Sequence, residues 1–145
     1  MSETIASVLK IKGGRVWSID PEATIYDAIA LMAEKSIGAL VVISGGRLAG
    51  IISERDYARK VILQGRSSKE THVHEIMTSS VITVSPEQTV DDCMRIITNH
   101  RVRHLPVMCG DEVLGVISIG DLVRAIIAEQ AATIDHLHSY IAGKY

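Results

Sequence analysis

Two serine–aspartate pairs stand at matched positions in this sequence of 145 residues. Ser53 precedes Asp56 by three residues in the segment GIISERD, and Ser118 precedes Asp121 by the same interval in GVISIGD. A carboxylate at the end of a buried strand can accept both hydrogen bonds of a vicinal diol. The same residue types also form capping boxes at helix N-termini, so a purely structural role is the alternative.

The two segments belong to an internal duplication with a shift of 65 residues. Residues 16–62 align with residues 81–127 without a gap, and 14 of the 47 aligned pairs are identical. Such a period points to two structural repeats. One copy of about 60 residues buries too little apolar surface to be stable alone, so we expect the copies to pack together.

Apolar periodicity and turn residues predict the order β-α-β-β-α in each copy. In the first copy we predict a strand at 16–19, a helix at 22–35, strands at 37–43 and 48–52, and a helix at 56–63. In the second copy we predict a short helix at 73–78, a strand at 81–84, a helix at 87–99, strands at 102–108 and 113–117, and a helix at 120–130. A further helix is predicted at 2–12.

These elements predict a mixed α/β fold of the α+β class, with two tandem repeats packed sheet to sheet about a pseudo-two-fold axis. By chain order, residues 1–65 form the first repeat with the N-terminal helix, residues 66–130 the second repeat, and residues 131–145 a helical extension. Equivalent loops then meet at two related clefts. Each cleft should be bordered by one serine–aspartate segment and by strand ends of the opposite repeat.

Composition restricts the classes of function. Hydrophobic residues make up 47% of the chain and aromatic residues only 3%, which predicts an aliphatic core. A formal net charge of −2 and few aromatic side chains give no reason to expect nucleic acid binding. The N-terminus has no signal-peptide pattern and no apolar run is long enough to span a bilayer, so we expect no membrane association. Two cysteines without metal-ligand spacing favour a reducing cytoplasm.

The motifs expected of an enzyme are not found in the sequence. The glycine-rich segment 45–50 lacks the Lys-Ser/Thr of a P-loop, and neither serine lies in a G-x-S-x-G elbow. The pairs His72/His74 and His136/His138 have i, i+2 spacing, which on a helix separates two side chains by about 200°. His72 and His74 lie in or near a loop and could chelate a metal there, but no carboxylate or thiol at ligand spacing joins them. We therefore predict a non-catalytic protein with no metal site.

The chain resembles a pair of CBS domains. The β-α-β-β-α order, the segments VITVSPEQTV and HRVRHLPV, and the closing GVISIGD carry the resemblance, which extends over residues 5–127. Two such domains in tandem resemble a Bateman module, and the chain is similar to free-standing bacterial CBS-pair proteins of signal transduction. Such modules commonly bind AMP, ADP, ATP, S-adenosylmethionine or NAD(H). The resemblance implies a regulatory protein with an adenine nucleotide in the clefts between its repeats. Among these ligands we favour AMP, because Arg103 and His104 can neutralise one phosphate, with NAD(H), ADP and ATP as alternatives.

The resemblance also implies roles for individual residues. Asp56 and Asp121 would accept hydrogen bonds from ribose hydroxyls, and Ser53 and Ser118 would contact the ribose or the first phosphate. The adenine would be held largely by backbone groups and aliphatic side chains. The residues predicted for the adenine contact are Ser18, Asp20, Ile25, Ile37, Gly38, Ala39, Thr83, Ser85, Val90 and Val102.

Basic residues distinguish the two copies. Arg101, Arg103 and His104 in the second repeat replace small residues of the first, whereas Arg55 and Lys60 occur only in the first. Arginine can bind a phosphate with a forked pair of donors. We predict that Arg103 and His104 serve one cleft and that Arg55 and Lys60 serve the other, so that the clefts prefer different ligands. Arg101 fits a solvated strand-end charge equally well.

The C-terminal stretch carries an apolar stripe at helical spacing, formed by Ile126, Ile127, Ile134, Leu137 and Ile141. Packing on its own repeat accounts for Ile126. Because CBS pairs commonly form dimers, we expect the rest of this helix to help hold a homodimer. Two other functions stay open: a structural dimerisation scaffold with vestigial sites, and, with less support, an enzyme acting on a nucleotide. The sequence does not identify a downstream protein partner.

Overall fold

The computed structural model describes residues 3–141, and its mixture of helices and strands confirms the predicted α+β class. The helices are α1 (Ile5–Lys12), α2 (Ile25–Lys35), α3 (Glu54–Tyr57, continued by a π-helical turn at Ala58–Ile62), α4 (Val73–Ile76), α5 (Val90–His100) and α6 (Ile119–Ile141). The strands are β1 (Ser18–Ile19), β2 (Ala39–Ser44), β3 (Arg47–Ser53), β4 (His104–Cys109) and β5 (Glu112–Ser118).

Strand pairing repeats with the 65-residue shift of the sequence. The antiparallel hairpin β2–β3 pairs Ala39 with Ser53, and the hairpin β4–β5 pairs His104 with Ser118. Both hairpins have a register irregularity at the same relative position. The sequence duplication is therefore a duplication of structure.

The first strand of the second repeat is shorter than predicted. In the first repeat, β1 pairs in parallel with β2, and Ser18 lies opposite Val41. The counterpart of Val41 is Pro106, which has no amide hydrogen to extend such a ladder. Only Val84 forms a bridge to β4, so the predicted strand at 81–84 is wrong apart from this one residue.

The helices α2 and α5 begin and end at equivalent residues. The hydroxyls of Thr24 and Thr89 accept amide hydrogen bonds of 3.2 and 3.1 Å from the third residue of each helix. Both helices are followed by a left-handed residue, Ser36 and Arg101, each with φ 55°. These matched ends direct the chain from each helix into the same strand geometry.

The short helix before each repeat packs on the other repeat. Ile5, Val8 and Leu9 of α1 lie in the core of the second repeat, whereas Val73 and Ile76 of α4 lie in the core of the first. Chain order grouped α1 with the first repeat, and the packing corrects this grouping. Each core therefore contains a helix that the chain connects directly to the other repeat. This exchange of helices holds the two repeats together.

The glycine at the start of each serine–aspartate segment allows another part of the chain to pass close to it: residues 77–78, after α4, at Gly50, and Leu9 of α1 at Gly115. A Cβ atom at Gly50 would lie 2.7 Å from Met77 Sδ and 2.8 Å from the Thr78 carbonyl oxygen. A Cβ atom at Gly115 would lie 2.6 Å from Leu9 Cδ2. Both glycines are therefore explained by packing.

Helix α6 is longer than predicted and joins the helix at 120–130 to the C-terminal extension. Ile126 packs against the core of the second repeat, as expected. Ile127, Ile134, Leu137 and Ile141 are exposed. Over residues 3–141, no helix combines the length and apolar character needed to cross a membrane.

We expect Gly50→Ala to lower the free energy of unfolding by about 2 kcal/mol, a typical cost of overpacking. The Thr78 carbonyl cannot move freely because Thr78 forms a backbone bridge with Ile51. Gly115→Ala is the matched control, since only a Leu9 methyl group must move, and we expect it to cost less than about 1 kcal/mol. Urea denaturation measures both values. An equal loss in the two variants would contradict this account.

Candidate functional site

Two clefts open between the repeats and are related by the 65-residue shift. Cleft A, of about 480 Å³, is lined by residues 38, 51, 53–56 and 59 of the first repeat and by residues 78, 80–82 and 101–104. Cleft B, of about 440 Å³, is lined by residues 12–17 and 36–39 and by residues 104, 116, 118, 121 and 124 of the second repeat. Each cleft is bordered by one serine–aspartate segment and by strand ends of the opposite repeat, as the sequence predicts.

The serine–aspartate segments form capping boxes. Asp56 Oδ2 accepts hydrogen bonds from the Ser53 amide at 2.9 Å and from its hydroxyl at 3.0 Å, and Ser53 Oγ accepts the Asp56 amide at 3.2 Å. Asp121 Oδ2 accepts the Ser118 amide at 2.8 Å, and Ser118 Oγ accepts the Asp121 amide at 3.1 Å. The cap holds each carboxylate at a cleft wall, so the structural and ligand-binding interpretations are compatible.

The remaining contacts of the two carboxylates differ. Asp56 Oδ1 lies 3.3 Å from Lys60 Nζ, and the Asp56 side chain is 17% exposed. Asp121 is engaged at both oxygens: Arg124 donates to Oδ1 at 2.7 Å and Lys12 to Oδ2 at 2.7 Å. The Asp121 side chain is only 6% exposed. Asp56 is therefore the more exposed of the two and has one cationic partner among the described residues, whereas Asp121 has two close ones.

Four arginines line cleft A: Arg55, Arg59, Arg101 and Arg103. Within the described residues, none of the four forms an ion pair with a carboxylate. The positive charge of Arg103, followed by that of Arg59, lowers the pKa of Arg55. A group of arginines that repel one another suits an anion with several charged oxygens.

This arrangement corrects the predicted division of basic residues between the clefts. Arg103 and His104 join Arg55 in cleft A, because the strand end of the second repeat borders the cleft of the first. Lys60 does not line this cleft, and its ammonium donates to the Ile76 carbonyl at 2.9 Å. The two clefts differ in charge, as predicted, but Arg55, Arg103 and His104 all line cleft A instead of being divided between the clefts.

His104 lies between the clefts and lines both of them. Gly38 is its neighbour at this point, since a Cβ atom there would lie 3.4 Å from His104 Nε2. Burial lowers the pKa of His104, and Lys12 lowers it further, while Asp121 acts in the opposite direction. Because this pKa lies below the ordinary value for histidine, the imidazole is mostly uncharged at pH 7.

The remaining predicted contacts divide into two groups. Val102 lines cleft A, and Ile37 and Ala39 line cleft B. Ile25 and Val90 are fully buried at the starts of α2 and α5, where they belong to the cores of the repeats. The geometry gives no support for a ligand contact at the six predicted residues that line neither cleft: Ser18, Asp20, Ile25, Thr83, Ser85 and Val90.

Several lining residues were missed by the prediction. Ile51, Val81 and Ile82 give cleft A an apolar wall. In cleft B, Trp17 occupies the position equivalent to Ile82. The 65-residue alignment pairs these two residues, so it could have identified Trp17 as a lining residue. Lys12 lies before the aligned range, so the repeat pattern carries no signal for it.

The other titratable clusters do not add to the site. Cys93 is fully buried, and burial raises the pKa of its thiol to about 11. The rings of His72 and His74 stack with centroids 5.7 Å apart. Among residues 3–141 there is no group of three or more side chains placed to hold a metal ion.

A family model for the CBS domain matches the chain twice, at residues 14–62 and 73–128. The chain belongs to the CBS domain family. The two matches coincide with the two structural repeats, which confirms the resemblance drawn from the sequence. Helix α1 lies outside the matched ranges, as do residues 129–141, the distal part of α6.

Known proteins with CBS domains resemble the chain in sequence and structure. A protein with CBS domains from Burkholderia ambifaria MC40-6 is 54% identical, with a TM-score of 0.84 over 88% of this chain and 96% of that one. The mitochondrial CBS domain-containing protein CBSX3 of Arabidopsis thaliana is 45% identical over 99% of this chain and 74% of its own length. A hexameric CBS-CP12 protein from bloom-forming cyanobacteria is 32% identical, with a TM-score of 0.77 over 85% and 67% of the two chains.

The pKa of Asp121 makes the Lys12 contact measurable. Burial alone would raise this pKa, but hydrogen bonds from Lys12 and the Ser118 amide hold it below its usual value. A carboxyl group whose pKa is depressed by folding stabilises the protein above about pH 3.9, and this contribution is lost as the pH falls through the folded-state pKa.

We therefore expect Lys12→Met to lower the free energy of unfolding by about 1 kcal/mol at pH 7, after allowance for the partial exposure of Lys12. The difference from the unmodified protein should shrink as the pH falls below about 3.9 and through the lowered folded-state pKa of Asp121. Urea denaturation at several pH values measures this difference, with exposed Lys10→Met as the control. A difference that does not change with pH would contradict the assignment.

Proposed function

We propose that this CBS pair is a non-catalytic regulatory protein that binds an adenine nucleotide in cleft A. The proposal rests on one observation: within the described residues, Asp56, whose single cationic partner is Lys60 at 3.3 Å, and four arginines without carboxylate partners line the same inter-repeat cleft. CBS pairs are in general regulatory modules and often bind adenosine-containing ligands, which supports the same conclusion.

The lining of cleft A provides a suitable group for each part of a nucleotide. The Asp56 carboxylate can accept the ribose hydroxyls. Ile51, Val81 and Ile82 offer an apolar surface to the adenine ring. The phosphates then meet the arginines, whose forked donors match phosphate oxygens.

The number of arginines bears on the length of the phosphate chain. The prediction in favour of AMP considered Arg103 and His104 as partners of one phosphate. The structure adds Arg55 and Arg59 to the same cleft and leaves His104 uncharged. Each added phosphate relieves repulsion among the arginines. We therefore propose that affinity increases from AMP to ADP to ATP, although Glu54 also lines the cleft and reduces the positive potential.

A nucleotide in cleft A would contact both repeats, because Asp56 belongs to the first and Arg101 and Arg103 to the second. Such a ligand favours the relative arrangement of repeats to which it binds more tightly. A partner protein that distinguishes between these arrangements would read the nucleotide concentration. We assign this function to the cytoplasm, since both Cys93 and Cys109 are free thiols.

Removal of single arginines from cleft A tests the proposal. We expect Arg55→Ser and Arg103→Ser each to weaken ATP binding by about 10- to 100-fold, the effect of losing a charge-assisted hydrogen bond of about 1.5–3 kcal/mol. The affinity for adenosine should not change. Isothermal titration calorimetry measures both ligands, and Arg47→Ser, at a 78% exposed arginine outside the cleft, is the matched control.

Two results would contradict this assignment. One is unchanged ATP affinity in both cleft variants, and the other is an equal loss in Arg47→Ser. If the unmodified protein binds neither AMP, ADP, ATP, NAD(H) nor S-adenosylmethionine, the alternative of a dimerisation scaffold is favoured.

We also propose that the protein is a homodimer held by the distal part of α6. Every residue from 131 to 138 is exposed in the single chain, and a helix without a packing partner is marginally stable in water. The positions 123, 127, 130, 134, 137 and 141 recur at alternating intervals of four and three, and five of them are exposed apolar residues. This spacing is the seam of a coiled coil, which a second copy of the same helix would complete.

We expect the double variant Ile134→Glu/Leu137→Glu to be monomeric, because two charges per helix would enter the seam. Light scattering coupled to size-exclusion chromatography should give the dimer mass for the unmodified protein and 15.8 kDa for the variant. Ile11→Glu, at an 82% exposed position of α1, is the control and should stay dimeric. A chain truncated after Glu129 that still forms a dimer would refute the role of α6.

A further inference from the structure

In cleft B, the carboxylate of Asp121 is bound by a lysine side chain of the same protein chain. Lys12, the last residue of α1, donates hydrogen bonds from Nζ to Asp121 Oδ2 at 2.7 Å and to the Val116 carbonyl oxygen at 2.6 Å. The hydrogen bond of Asp121 Oδ1 comes from Arg124 at 2.7 Å. The carboxylate is thereby enclosed between two cations.

The equivalent point in cleft A is built differently. The counterpart of Val116 is Ile51, whose carbonyl oxygen accepts a hydrogen bond from the backbone amide of Thr78 at 2.9 Å. In cleft B the chain turns away after Lys12 at Gly13, which has φ 95°. The lysine ammonium takes the place of the backbone amide and reaches Asp121 at the same time.

The contacts of Asp121 limit what it can offer a ligand. Each oxygen of Asp121 accepts a hydrogen bond of 2.7 Å from a cation, Lys12 at Oδ2 and Arg124 at Oδ1. In the described part of the chain, Asp56 has one cationic partner, Lys60 at 3.3 Å from Oδ1. A ribose diol needs two acceptor positions of a carboxylate, and at Asp121 it would have to displace a close cation. The cations of cleft B also have partners, since Lys12 and Arg124 pair with Asp121 and Arg15 lies 5.3 Å from the centre of the Trp17 ring.

We propose that Lys12 closes cleft B to nucleotides, so that each chain binds one nucleotide, in cleft A. Cleft B becomes a second nucleotide site only when Lys12 leaves Asp121. The same contact prevents a dinucleotide such as NAD(H) from spanning both clefts. This inference rests on the proposed function for the identity of the ligand, but it concerns a different cleft and a residue outside the matched family ranges.

Calorimetric titration with ATP, and separately with AMP, measures the number of sites per chain. We expect one site in the unmodified protein and two in Lys12→Met, which keeps an unbranched apolar stem and removes the charge. Lys12→Arg should retain one site, because its guanidinium can still pair with Asp121. Lys10→Met, at an exposed lysine of the same helix, is the matched control and should also retain one site.

A second substitution locates the new site. Adding Asp121→Asn to Lys12→Met should return the stoichiometry from two to one, because the substitution removes the negative charge and replaces one of the two acceptor oxygens with an NH2 donor, which weakens binding of the ribose diol. Two sites in this double variant would place the additional nucleotide elsewhere and would overturn the inference.

The outcomes separate this inference from the proposed function. Two sites in the unmodified protein, or one site in both the unmodified protein and Lys12→Met, would overturn the closure of cleft B and leave nucleotide binding in cleft A intact. No site in the unmodified protein but one in Lys12→Met would support the closure and overturn the assignment of cleft A. No binding by either protein would overturn both.

Discussion

The packing of α1 and α4 on opposite repeats is the constraint on which both clefts depend. Helix α1 completes the core of the second repeat, and α4 completes the core of the first. The segment that follows each helix is thereby placed against the hairpin of that same repeat. Gly50 and Gly115 make room for that approach. The crossing therefore fixes the separation of the repeats and determines which strand ends face each serine–aspartate segment.

Within this symmetric frame, the chemistry of the clefts is set by residues that the duplication did not preserve. Both aspartates are held by the same capping box, yet Asp56 pairs with one cation at 3.3 Å and Asp121 with two cations at 2.7 Å. Arginines without carboxylate partners in the described part of the chain concentrate on cleft A. A pseudo-symmetric fold thus presents one cleft prepared for an anion and one in which its own cations satisfy the carboxylate.

Much of this architecture could be predicted because it depends on local patterns. Apolar periodicity located the helices and hairpins, and the 65-residue shift identified equivalent residues. Packing across the repeats could not be predicted in this way: Lys12 meets Asp121 through the fold, 109 residues along the chain. Local patterns also do not show which apolar side chains enter a core and which line a cleft. Ile25 and Val90 were therefore predicted as ligand contacts, although they are fully buried in the cores. The strand at 81–84 was wrong because Pro106 interrupts a ladder that alternation of side chains alone would allow.

The central claim is that an adenine nucleotide occupies cleft A. Backbone amide NMR of the isotopically labelled protein during addition of ATP tests it most directly, since each perturbed amide locates the ligand. We predict that the largest shift changes fall at residues 53–59, 80–82 and 101–104, which line or adjoin this cleft. Changes confined to residues 12–17 and 116–124 around cleft B, or to α6, would contradict the account.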